Sequence, residues 1–173
     1  MSQFLARGVS AAKWKGRINI QRHEVPADGV GADLRSSNNA LSFWLCDPTE
    51  QRSLEDVVLV LASTRDQVQR IDLIWLSADE VAGMSIGLER TLGATPVSSL
   101  NHKHIDLTGI DLSRLFRLAG SVAEAVEGNR IRRFTEKQVL EILANAVQQD
   151  LVLAKSLKPS VIEKIQRGSI LPA

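Results

Sequence analysis

Two of the three histidines fall in one pentapeptide, His102-Lys103-His104-Ile105-Asp106, and no other stretch of the chain is better equipped for chemistry. Side chains alternate along an extended segment, so His102, His104 and Asp106 would share a face, as ligands of one metal do. Two imidazoles and a carboxylate suit zinc or another divalent transition metal, which would activate a bound water for hydrolysis. Lys103 would then contact an anionic substrate, and His23, Glu24, Asp28 or Asp33 would complete the ligand set. An exposed edge strand reads the same way, because charged side chains on edges guard against aggregation. A three-residue match without its partners favours that plainer reading.

A second cluster, Arg130, Arg132, Arg133 and Lys137, precedes and opens a helical segment. Cations at a helix N-terminus oppose the dipole and call for an anion, either a nucleic-acid phosphate in a helix-turn-helix arrangement or a neighbouring acidic loop. Lys13, Lys15 and Arg17 surround Trp14. Trp14 in that setting anchors the N-terminal residues onto the body or onto a protein partner. Trp44 and Trp75 sit among apolar neighbours and read as packing residues. Gly29-Val30-Gly31 does not open a helix, so it is no phosphate loop. Cys46 has no histidine nearby to activate it as a nucleophile.

The elements that would position these residues follow from hydrophobic period and turn chemistry. Residues 1–16 lack a sustained period and read as an irregular arm or short helix. Ile18 and Ile20 alternate with polar neighbours as in a half-buried strand. Val30, Ala32 and Leu34, then Ser36-Ser37-Asn38-Asn39, then Leu41, Phe43 and Leu45 read as a β-hairpin closed by Asp47-Pro48. Ser53 caps a helix that includes the apolar run 57–61, which its β-branched content would equally suit to a strand. Residues 71–76 form a strand feeding a helix capped by Ser77 that buries Val81, Met84, Leu88 and Leu92. Residues 102–107 form a short extended segment. Leu112, Leu115, Phe116, Ala119, Val122, Ala123 and Val126 follow the helical rule throughout. Thr135 starts another helix, and a last one follows Pro159.

This order predicts an α/β or α+β fold: a mixed β-sheet led by an N-terminal hairpin, packed helices and a helical C-terminal half. One domain over residues 1–173 is expected, with an arm at 1–16, a sheet-forming part at 17–107 and a helical part at 108–173. A composition of 44% hydrophobic and 24% charged residues matches an ordinary folded domain. With 21 Lys and Arg against 20 Asp and Glu, the overall field draws the chain toward neither nucleic acid nor anionic lipid. No apolar run approaches a membrane span, and neither a disulfide nor a secretory segment is expected, so the cytoplasm is the default compartment. The leading expectation is a non-catalytic intracellular protein with a protein partner, such as a bacterial immunity protein, an antitoxin or a complex subunit. The alternatives are a metal-dependent hydrolase built on His102, His104 and Asp106 and a nucleic-acid binder built on Arg130, Arg132 and Arg133.

Overall fold

In the computed structural model, which describes residues 3–15 and 25–167, a central position in the sheet belongs to a segment without a strand signature. That strand is β1 (Phe4–Val9), expected as part of an arm. It lies between β2 (Leu41–Cys46) and β3 (Ile71–Ser77), with Leu5 opposite both Leu45 and Leu76. A strand covered on both faces has no polar side, so it shows no alternation. Gly8 adds to the irregularity for a packing reason: a methyl there would lie 3.3 Å from Leu61 Cδ1.

Three further strands complete the sheet: β4 (Gly87–Arg90), β5 (His104–Thr108) and β6 (Ile131–Phe134). The order is β4-β5-β2-β1-β3-β6, and every neighbouring pair is antiparallel. The α/β class expected from the sequence holds. The parallel pairing that makes a sheet mixed is not used, because the intervening helices carry the chain to strands that run back against their neighbours. β6 also brings residues of the part expected to be helical into the sheet.

The N-terminal hairpin does not form. Residues 27–33 are helix α2 (Ala27–Asp33), which follows the short α1 (Ala11–Trp14). Val30 and Leu34 are four apart as well as even-numbered, so the alternation that suggested a strand also fits one helical face. The turn itself is where the sequence placed it: Asn38 and Asn39 both take positive φ between bridged Ser37 and Ala40. Only β2 continues from it as a strand. The strand expected around Ile18 and Ile20 lies outside the described residues.

Helix α3 (Gln51–Ser63) resolves the ambiguous run in favour of helix. Ser53 is not its cap; its hydroxyl accepts from the Asp47 backbone N–H at 2.8 Å and tightens the Asp47-Pro48 turn. Helix α4 (Ala78–Ala82), capped by Ser77 as expected, is far shorter than the helix read over that stretch. It stops at Gly83, and Ser85 at φ 60° turns the chain into β4. Gly87 lets that edge strand approach closely, since a methyl there would fall 2.5 Å from Thr108 Oγ1. Leu88 therefore lies on the sheet edge and not on a helix.

Helices α5 (Leu112–Glu127), α6 (Glu136–Gln148) and α7 (Pro159–Arg167) match the periodic segments. Asp111 caps α5, and Thr135 with Gln138 forms a capping box on α6. Two cores result. Leu5, Phe43, Ile74, Leu76 and Leu107 pack on one face with Trp14, Val81, Leu118 and Val122 from the α1, α4 and α5 side. On the other, Ala6, Trp44, Leu73 and Phe134 meet α3, α6 and α7 through Val57, Leu143 and Ile165. Each fully buried aliphatic side chain contributes about 1.5–3 kcal/mol. Among the described residues no helix is long and apolar enough to cross a membrane.

Candidate functional site

The histidine segment is split between two elements. His102 falls in a 3-10 turn (Ser98–Lys103) and is exposed, whereas His104 and Asp106 stand on β5. Strand alternation therefore does not carry His102 onto the face of the other two. Lys103 makes an ion pair with Asp56 of α3 at 2.9 Å. Asp28 is exposed on α2, Asp33 is bonded elsewhere, and His23 and Glu24 lie outside the described residues. No group of three His, Cys, Asp or Glu side chains fit to hold a metal occurs among the described residues.

What His104 and Asp106 do instead is fix the sheet edge. The Thr91 hydroxyl lies 2.7 Å from His104 Nδ1 and 2.9 Å from Asp106 Oδ2. An ionised carboxylate only accepts, so the single Thr91 proton goes to Asp106 and the Nδ1–H of His104 donates to Thr91. This polarity engages the hydroxyl as both donor and acceptor and ties the end of β4 to β5. Ser42 on β2 adds a donor to Asp106 Oδ1 at 3.2 Å, and Thr108 one to Glu89 at 3.0 Å. Trp44 meets His104 edge-on, with centroids 4.9 Å apart. Burial lowers the His104 pKa and Asp106 partly restores it. Thr91 and Ser42 carry no sequence signal for this role, because their partners are set by register alone.

The arginine cluster lies on β6 and its flanks, not at a helix start. Arg130 pairs with Glu80 at 2.6 Å, and Arg133 Nε donates to Asp72 at 2.7 Å. Arg132 reaches Gln51 at 3.4 Å, and Lys137 lies 3.9 Å from Glu141 one helical turn on. The anions that these cations called for are thus supplied largely within the chain. Asp72 is 3% exposed and Arg133 much more so, so the guanidinium serves chiefly to satisfy a buried carboxylate.

Trp14 is fully buried and has no surface to offer a partner. Its indole N–H donates to Asp33 Oδ2 at 2.7 Å, and Ser10 donates to the same carboxylate through its backbone N–H and its hydroxyl. Of the two uses read for Trp14, anchoring to the body is the one that geometry permits. Cys46 is held as a thiol: burial, reinforced by Asp47, pushes its pKa up to about 12 against a smaller opposing pull from Lys103.

The surface that stands apart is apolar. In the first two turns of α5, Leu112 is 85% exposed and Phe116 46% exposed, although both continue the period that buries Ala119 and Val122 further along. Phe116 lines a groove of about 530 Å³ with Val25 and Met84, beside the carboxylates of Asp79, Glu80 and Glu124. Arg117 holds the opposing wall by donating to the Gly83 and Met84 carbonyls. In the sequence both residues follow the same period as the buried ones, since periodicity reports which face is apolar and not where its cover ends. Comparison with protein-family models, with curated proteins and with solved structures finds no match to this chain.

Proposed function

We propose that this chain is a non-catalytic protein-interaction protein, of the kind represented by bacterial immunity proteins, antitoxins and complex subunits, and that its partner docks along the first half of α5. The carrying observation is the exposure of Leu112 and Phe116 on an otherwise well-buried amphipathic helix. Contiguous exposed apolar surface rimmed by polar groups is characteristic of interaction sites. Support also comes from the chemically equipped side chains: His104, Asp106, Arg130 and Arg133 are engaged in bonds that hold the fold.

The carboxylates of Asp79 and Glu124 beside Phe116, which unlike Glu80 are not held by Arg130, set the chemistry of the partner. An apolar anchor entering the groove, flanked by Lys or Arg, would match it, the charges steering encounter and the anchor supplying affinity. We place this activity in the cytoplasm, where Cys46 needs no disulfide partner.

The test is co-purification from native lysate of the wild-type chain and of the Leu112→Glu/Phe116→Glu variant, followed by reconstitution with the purified candidate. A stoichiometric protein that binds the wild type and is lost in the variant supports the reading. Identical recovery with both chains, the variant remaining folded by circular dichroism, overturns it.

A further inference from the structure

At the end of the sheet where β1 passes into α1, a cavity of about 330 Å³ is lined by Ser10, Lys13, Asp33, Arg65, Arg70 and Asp72, among others. Its charges are unequally used. Asp72 is taken by Arg133, and Asp33 accepts from Ser10 and Trp14 through both of its oxygens. The side chains of Lys13, Arg65 and Arg70 make no hydrogen bond or ion pair among the described residues.

Arg65 is the informative member. It follows α3, and its Nη2 would lie 3.6 Å from a methyl on Gly8, so the guanidinium packs close over the bare backbone of β1. No side-chain nitrogen or oxygen among the described residues is both sealed from solvent and unpaired, so the Arg65 donors open onto the cavity it lines. Burial lowers the proton affinity of this guanidinium, and Asp33 restores only part of it, from a distance beyond hydrogen bonding. A half-buried planar fork of donors without an acceptor, flanked by two more cations, is arranged for an oxyanion.

We propose that this cavity binds a small molecule through a phosphate or carboxylate group seated on the Arg65 fork, with Arg70 and Lys13 beside it. The volume exceeds what a lone phosphate fills, which leaves room for the rest of the molecule. The proposal uses none of the residues of the α5 surface and stands or falls separately from it.

The experiment is thermal unfolding and calorimetric titration of the full chain with inorganic phosphate and, in a second arm, with succinate, ionic strength being matched throughout with sodium chloride. The expected result is a saturable rise in Tm with at least one of the two. Phosphate alone assigns a phosphate ester, succinate alone a carboxylate, and both a general oxyanion pocket. Arg65→Gln should weaken binding tenfold or more, and the exposed Arg70→Gln several-fold. If Arg65→Gln does not fold, Arg65→Lys, which keeps charge without the fork, takes its place with the same expected loss. A shift no greater than that of sodium chloride, or undiminished binding in the Arg65 variant, overturns the proposal.

Discussion

The indole N–H of Trp14 donates to Asp33 at 2.7 Å, and this one bond joins the helix after β1 to the helix before β2. Gly29 makes the junction possible, because a methyl there would lie 2.8 Å from the indole Cδ2 and Cε2. Trp14→Ala should cost about 3–5 kcal/mol in urea unfolding, as for other fully buried large aromatics. Gly29→Ala should lose about 1–3 kcal/mol through overpacking. Wild-type stability in Gly29→Ala would mean that the ring has room to move.

His104 predicts a pH dependence whose sign follows from its lowered pKa. An unfolded chain takes up a proton near pH 6.5, whereas the folded chain resists until a lower pH. Stability is therefore full above pH 6.5, falls as the pH drops below it, and stops falling on this account once the folded pKa is passed. Denaturation midpoints between pH 7.5 and 5 should decline for the wild type and decline less for His104→Gln. Parallel profiles would show that other groups carry the effect.

The arginines of β6 should separate by role. Arg133→Met strands a carboxylate that is 3% exposed and should lower Tm clearly, while Arg132→Met should leave it nearly unchanged. Combining Arg133→Met with Asp72→Asn should restore part of the loss, since the buried charge then disappears with its partner. Additive losses would deny the coupling.

Exposed and buried residues of α5 should differ just as plainly. Leu112→Ser removes surface that is already in water and should change stability by no more than about 0.5 kcal/mol. Leu118→Ala, at a position with no exposed surface, should cost about 2–5 kcal/mol. A large loss from Leu112→Ser would place that side chain in a contact within the fold.

Cys46, with its pKa at about 12, holds almost no thiolate at neutral pH. Reaction with a thiol-specific disulfide reagent at pH 8 should be slow in the folded protein and rapid in urea. Equal rates would indicate an accessible, ordinary thiol.

Much of the helical frame could be read from sequence, because α3, α5 and α6 follow the helical period and α5 and α6 also carry their caps in the chain. The central strand could not. Phe4 to Val9 is covered on both faces and broken by Gly8, so it lacks the period-two pattern that exposure to water imposes on one side. α2 was misread because Val30 and Leu34 satisfy both periods. β4 was hidden by a coincidence of spacing at Val81, Met84 and Leu88 that only Gly83, Ser85 and Gly87 interrupt. In the candidate sites, residue types were visible but pairings were not: Thr91 with His104, Asp72 with Arg133 and Arg65 over Gly8 all depend on register or on contacts distant in sequence.

The position of β1 also sets an order of assembly. Its partners are residues 41–46 and 71–77, so during synthesis the first strand is unpaired until the first of these has been made and paired on one edge alone until the second. Wherever β1 has not yet docked, the inner edges of β2 and β3 are open, and the same backbone groups will accept an equivalent strand from another molecule. Contacts that close the sheet are therefore long-range, and they are slow to form compared with α5 or α6, whose hydrogen bonds are local. Crowded expression at high temperature favours exchange of the first strand between chains, and slow, cool synthesis favours its return to its own sheet.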